Sequence, residues 1–285
     1  MAVRTLDADG VSQLIVDVSD RLIWPRFRRL RPEEVEQKAP GDLVTIADRE
    51  AEDAIAAALR QADPGALVLG EEAIAADPGL LDSLDAAGRV WLIDPVDGTG
   101  NFAAGNPDFG TMIVELESGR PRRSWIWQAG RRRMFQATAG GGVLVDGRPL
   151  APPHPRRPLL IGGVTPEFAA VAGPALAPAL PMTGSCTADY PLIALGERDY
   201  LIHNGRHPWD HLPGICLLGE LGGVVRFADG EPYRPRSDNP YRLIAARSPE
   251  VWDAVATSAL ELARRIGEGS GGAAGGVRTD ELSED

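Results

Sequence analysis

Val11, Leu14, Ile15, Val18 and Leu22 place apolar side chains at three- and four-residue steps, the period of an amphipathic helix, and Pro25 marks its break. A polar stretch from Arg31 to Gly41 follows, and the alanine-rich run Ala51 to Arg60 predicts a second helix beginning near Asp48. Two short apolar runs, Ala66-Leu67-Val68-Leu69 and Val90-Trp91-Leu92-Ile93, are bounded by Gly or Pro and read as strands. Each runs straight into carboxylates. From Thr111 to Val145, strand-like pieces around Met112-Ile113-Val114, Trp125-Ile126-Trp127, Met134-Phe135 and Val143-Leu144-Val145 alternate with Gly and Arg clusters, the outline of an antiparallel meander.

The proline-rich segment Pro149 to Pro155 is expected to be irregular, since proline fixes φ and removes a donor, and it marks a junction between residues 1–148 and 149–267. Beyond it, strands (Leu159-Leu160-Ile161, Tyr200-Leu201-Ile202, Gly223-Val224-Val225, Leu243-Ile244-Ala245) alternate with helices around Ala188 to Gly196, His211 to Leu221 and Pro249 to Ile266. That is an α/β rhythm after an α+β first half. The tail, residues 268–285, is rich in Gly, Ser and acid and reads as disordered.

Composition narrows the function. The 285 residues are 44% hydrophobic and 25% charged, globular proportions that fit one large or two packed domains. No uncharged apolar run approaches the roughly 18 residues of a membrane span. The net charge of −12 repels phosphate backbones, which sets nucleic-acid polymers and anionic membranes aside as partners. Any phosphate handled here needs a cation. Two cysteines, Cys186 and Cys216, are too few for a disulfide framework, and the first residues lack the order of a signal peptide, so the expected location is the cytoplasm.

The chemistry concentrates in Asp94-Pro95-Val96-Asp97-Gly98-Thr99. Two aspartates three apart at a strand end, with proline between and glycine after, predict a sharp turn that aims both carboxylates at one spot. Convergent carboxylates raise one another's pKa and call for a cation, and oxygen-only ligation favours magnesium over zinc. The other reading is a turn in which both aspartates cap backbone amides. Gly70-Glu71-Glu72 also ends a strand, and Trp209-Asp210 precedes a helical run. Singly these are a solvated pair and an N-cap; together with Asp94 and Asp97 they describe a metal cage.

The set Asp42-Leu43-Val44-Thr45-x-x-Asp48, Gly70-Glu71-Glu72, Asp94-Pro95-Val96-Asp97-Gly98-Thr99-x-Asn101-Phe102 and Trp209-Asp210-x-x-Pro213-Gly214, in this order, resembles the inositol monophosphatase family of magnesium-dependent, lithium-sensitive phosphatases. The resemblance implies a layered αβαβα sandwich with the metal site between its halves, two or three Mg2+ ions, a small phosphorylated metabolite as partner, and a homodimer. It also implies roles. Glu71, Asp94 and the Val96 carbonyl would hold a first magnesium, and Asp94, Asp97 and Asp210 a second. Glu72 would act from the outer shell or beside a third, weaker ion. Gly98 and Thr99 would offer amides to the phosphate, and the Thr99 hydroxyl, bonded to Asp48, would orient the attacking water.

Substrate contacts carried over in the same way fall on Gly184, Ser185, Cys186 and His203, the last replacing a family glutamate. Glutamate accepts two hydroxyl hydrogen bonds where neutral imidazole offers one donor and one acceptor. His203 either reads a different alcohol or lies away from the pocket. Inositol-1-phosphate, other sugar or polyol phosphates, histidinol phosphate and 3′-phosphoadenosine 5′-phosphate are the rival substrates. A non-catalytic module binding metal or phosphate ligands is the rival class, opposed by the retention of Asp48, Glu71, Asp94, Asp97, Thr99 and Asp210. His203, His207 and His211 are spaced by four, but Gly205 and Pro208 argue against one helix carrying all three toward zinc. Lys38, just before Asp42, is a candidate to approach the phosphate, and Cys186 reads as a packing or pocket residue rather than a nucleophile.

Overall fold

The computed structural model describes residues 7–39, 41–84, 88–154 and 157–271. Helix α1 (Ala8–Val18) is capped by Asp7, passes through a wider turn at Ser19–Ile23 and ends in a short 3-10 turn containing Pro25. The polar stretch that follows forms a hairpin, β1 (Val35–Ala39) with β2 (Asp42–Thr45), where no strand was expected. Helix α2 (Ile46–Ala62) starts two residues before Asp48, because Thr45 caps it and Asp48 returns the bond to the Thr45 amide. Its Ala47, Ala51, Ile55 and Leu59 form one fully buried stripe at four-residue spacing.

β3 (Leu67–Gly70), β4 (Arg89–Asp97), β5 (Gly110–Glu117), β6 (Arg120–Gln128), β7 (Arg133–Thr138), β8 (Gly142–Val145) and β9 (Arg148–Leu150) make one seven-stranded sheet in sequence order. Only the β3–β4 pair is parallel; the rest is the expected meander. β9 corrects the reading of Pro149 as irregular. At the sheet's edge its missing N–H breaks no central ladder bond. Helix α3 (Glu71–Ala76) follows β3, and α4 (Thr99–Ala103) follows β4.

The second half builds a five-stranded sheet in the order β11 (Leu180–Pro181), β10 (Gly162–Val164), β12 (Tyr200–His203), β14 (Leu243–Ala246), β13 (Val224–Phe227). β10 begins just after the expected Leu159-Leu160-Ile161, on two glycines where a Cβ would overlap Tyr200 and Arg198. Helices α5 (Cys186–Ala194) and α6 (Pro208–Gly219) lie between the two sheets. Met112, Ile126 and Phe135 pack there with Tyr190, Ile193 and Leu217 and with Leu201 and Ala245. The outer face of the first sheet (Trp91, Ile93, Ile113, Trp125) meets α1 and α2. The outer face of the second (Tyr200, Ile202, Ile244) meets Trp252, Val255 and Ala259 of α7 (Pro249–Gly271). The five layers are the expected αβαβα sandwich. α7 runs past Ile266, and residues 272–285 of the presumed tail lie outside the described residues.

α6 starts three residues before His211, at Pro208, so Pro213 is its sixth residue rather than part of its first turn. The Trp209 carbonyl therefore lacks its usual helical donor. Gly214 lets α6 approach α5, since a Cβ there would overlap the Tyr190 ring, which is fully buried and hydrogen-bonded to His211. Gly214→Ala gains about 0.5–1 kcal/mol of helix propensity but overpacks a pinned ring, a cost of about 1–3 kcal/mol. A net loss of stability is expected in urea unfolding; an unchanged or raised midpoint would show that the two helices can move apart.

Candidate active site

The two aspartates of β4 are brought together by a bulge, not by the expected sharp turn. Asp94 pairs with Met112 and Asp97 with Gly110, so three steps along β4 face two along β5. Side chains alternate along a regular strand, and residues three apart point to opposite faces. The extra residue reverses that parity. Trp91, Ile93 and Val96 consequently all enter the α1/α2 core, while Val90 and Leu92 face the other way. Asp94 and Asp97 both turn towards α5 and α6, where Asp210 waits in the first turn of α6. A ligand oxygen from each of Asp94, Asp97 and Asp210 lies within 4.8 Å of the others.

These carboxylates are held differently. Asp97 accepts from the Cys186 amide at 3.0 Å, the Thr187 amide at 2.6 Å and the Ser185 hydroxyl, so it caps the start of α5. Asp94 is buried, and its Oδ1 has no hydrogen-bond partner. Burial, then the charges of Glu71, Asp97 and Asp210, push the Asp94 carboxyl well above its usual pKa. Burial and the charges of Asp97 and Glu71 do the same to Asp210. An uncompensated buried carboxylate costs several kcal/mol unless it is protonated or meets a cation.

Glu71 and Glu72 face the cluster from the first turn of α3, whose amides at Glu72 and Ala73 are capped by Glu52 at 2.8 and 2.9 Å. Gly70 is required because a Cβ would overlap that Glu52 carboxylate. Lys38 of β1 reaches Glu71 at 2.7 Å and Glu72 at 2.9 Å, so it meets the acidic residues themselves. Burial opposes the Lys38 charge, but the two glutamates outweigh it and hold its pKa above the ordinary value. Burial raises Glu71 to about 7 in spite of Lys38.

Thr99 donates its single hydroxyl proton towards Asp48 Oδ1 and the Val96 carbonyl, both at 3.0 Å. Asp48 is fixed by the Thr45 amide and hydroxyl, and burial lifts its pKa to about 6. Gly98 precedes α4 with φ +79°, and a Cβ there would come within 2.8 Å of Ser185. Asn101 of the same motif bonds the Asp108 and Thr183 carbonyls, tying α4 to the loop before α5.

Gly184, Ser185, Cys186 and His203 line a cavity of about 580 Å³ together with Asp97 and Asp210. The Ser185 hydroxyl and Cys186 amide point to Asp97. His203 lies at the end of β12, stacked on Tyr190 with centroids 5.5 Å apart, and burial and His211 push its pKa far down, so it is neutral. His207 instead stacks on Trp209. Burial and the Asp210 charge push the Cys186 thiol up, which disfavours it as a nucleophile. Reading the sequence missed Glu52 and Thr187 and left Thr45, part of the Asp42 to Asp48 motif, without a role. Only Thr45 left a signal, as the start of a capping box ending at Asp48.

Five alternating layers with a strand-end carboxylate cluster facing a cavity define a layered α/β protein with a candidate cation site. The Inositol monophosphatase family model matches residues 18–265. The chain belongs to that family. It is 32% identical to "Nus factor SuhB" of Pseudomonas aeruginosa, over 72% of this chain and 79% of that one. It is 30% identical to "Inositol-1-monophosphatase" of Bacillus subtilis, over 68% and 76% of the two chains. The fold superposes on the Thermotoga maritima IMPase with a TM-score of 0.78 at 23% identity, covering 90% and 98% of the chains.

In metal-free protein, Asp48 and Glu71 hold protons more tightly folded than unfolded, with folded values near 6 and 7 against 3.8 and 4.5. Their contribution to stability is complete below the unfolded values and is lost as pH rises through the folded ones. With a chelator present, the thermal midpoint should fall from about pH 4 to about pH 7, and magnesium should reverse the fall. A flat profile with chelator would remove the buried charge surplus from the description.

Proposed function

We propose that the chain is a metal-dependent phosphomonoesterase acting on a small phosphorylated metabolite of the polyol or sugar class. The observation that carries this is the unpartnered Asp94 Oδ1 amid Asp97, Asp210 and Glu71, beside the Thr99–Asp48 pair. The donor set fits a hard divalent cation. It is all oxygen, it carries surplus negative charge, and its central member has an unused buried lone pair. Glu71, Asp94 and the Val96 carbonyl, with Asp97 and Asp210, are the residues that would hold two or three Mg2+ ions. Bound there, such ions neutralise phosphate oxygens and make water acidic enough to attack near neutral pH.

The chain's own groups supply positioning and proton transfer. The Thr99 hydroxyl proton is directed towards Asp48 and Val96, so its lone pairs are left to accept from the attacking water. A proton passing through Thr99 Oγ1 reaches Asp48 Oδ1, a carboxyl whose pKa of about 6 suits a general base. Gly98 and Thr99 present amides at the start of α4 to the phosphate. Glu72, bonded to Lys38, acts from behind Glu71. The alcohol part of the substrate occupies the cavity lined by Gly184, Ser185, Cys186 and His203. Because the Ser185 hydroxyl and Cys186 amide serve Asp97, polar recognition there falls to neutral His203 and to the unpaired Thr165 hydroxyl. Lithium sensitivity, a homodimer and a cytoplasmic setting complete the proposal.

Phosphate release from inositol-1-phosphate, sugar phosphates, histidinol phosphate and 3′-phosphoadenosine 5′-phosphate should require magnesium and fall with lithium. Asp94→Asn should abolish turnover, and Thr99→Ala should lower kcat by roughly 10²–10⁴ with a small change in KM. Magnesium-dependent turnover surviving in Asp94→Asn would overturn the assignment of the cage.

A further inference from the structure

The cavity has a second wall whose chemistry the phosphatase reading does not use. One ligand atom each from Cys186, His203 and His211 lies within 4.8 Å of the others, and all three residues are buried. They come from three elements: the start of α5, the end of β12 and the first turns of α6. His203 is 4% exposed and its Nε2 has no hydrogen-bond partner, an unpaired polar atom in an otherwise packed wall. The Cys186 backbone is already fixed by Asp97, so its side chain is pre-positioned.

We propose that Cys186, His203 and His211 form a soft-metal site for a zinc-class cation, separate from the aspartate cage. Thiol and imidazole donors select zinc over magnesium, whereas the neighbouring aspartates do the reverse. Zinc bonds of about 2.3 Å to sulfur and 2.0–2.1 Å to nitrogen put ligand atoms about 3.3–3.8 Å apart. From separations within 4.8 Å, the cluster closes by at most about 1–1.5 Å on that scale. His203 enters through its unpaired Nε2. His211 Nε2 must carry a proton, since it meets the Gly205 carbonyl at 3.0 Å, and this fixes the ring as a metal-bound histidine's ring is commonly fixed. The lone pair is then on Nδ1, where it accepts from the Tyr190 hydroxyl at 2.9 Å.

Zinc binding therefore exchanges the Tyr190 bond for a metal bond and releases the Cys186 proton to solvent. Three protein ligands leave the fourth position open to the cavity. An ion there occupies the space beside Asp97 and Asp210, so on the phosphatase reading zinc excludes the substrate's alcohol part. The site itself does not rest on that reading.

The test uses the full chain with excess magnesium, titrated with Co2+ and Zn2+. One equivalent of cobalt should produce a thiolate-to-cobalt charge-transfer band in the near ultraviolet, and zinc should displace it. Cys186→Ser should lose the band, and His203→Gln should weaken binding by roughly tenfold or more. Tyr190→Phe, which frees His211 Nδ1, should tighten binding; equal or weaker binding takes His211 out of the ligand set. Asp94→Asn should keep the band, which separates this site from the cage whether or not any phosphoester is cleaved. No band in the parent protein, or zinc affinity unchanged in Cys186→Ser, would overturn the proposal.

Discussion

The structure is organised by a surplus of buried negative charge. Asp94, Asp97, Asp210, Glu71 and Asp48 gather where β4, α3, α6 and α2 converge, and among the described residues one lysine, Lys38, reaches them. Each carboxylate is presented by a separate device. A bulge turns Asp94 and Asp97 to one face, Glu52 fixes the first turn that carries Glu71, and Pro208 starts the helix that carries Asp210. These devices come at the expense of regular hydrogen bonding or free backbone choice. Such a cluster is relieved by protonation or by a cation that completes it.

The devices also link the layers mechanically. Asp97 caps α5 through two amides and the Ser185 hydroxyl, so one carboxylate joins the first sheet to the middle helices. Asn101 adds a second tie from α4 to Thr183. The cavity floor is thereby set by the same residues that set the charge cluster, and a cation drawing on Asp97 acts on the wall that holds Cys186. Lys38 works from the opposite side. Its ammonium lies against Glu71 and Glu72, so a metal that uses Glu71 competes with an internal cation rather than with water alone.

The sequence disclosed the architecture where patterns were local and strong. The apolar runs of β3 and β4, the meander and the alanine-rich α2 all follow from spacing and composition, and the layered sandwich followed from the family resemblance. Its limits are equally physical. A bulge has no periodic signature, so Asp94-x-x-Asp97 read as a turn. Edge position is a tertiary property, so Pro149 read as irregular although β9 tolerates it. Helix starts depended on caps: Thr45 moved α2 back two residues, and Pro208 moved α6 back three. Lys38 lies against Glu71 and Glu72, partners that its polar surroundings in sequence do not announce. Glu52 was invisible, because nothing in a run of helix-forming residues marks the one that reaches across to α3.

The two walls of the cavity then pose a problem of selectivity. One wall offers several oxygens and excess charge; the other offers a thiol and two neutral imidazoles. On the second wall the Ser185 hydroxyl and the Cys186 amide donate to Asp97, and His211 is satisfied by Tyr190 and Gly205. The unpaired His203 Nε2 is the polar atom left for recognition among these groups. Thr165 Oγ1, on the same lining, is likewise unpaired, so two buried polar atoms there are left for a ligand to meet. A ligand that leaves either atom unmatched forfeits about 1–3 kcal/mol.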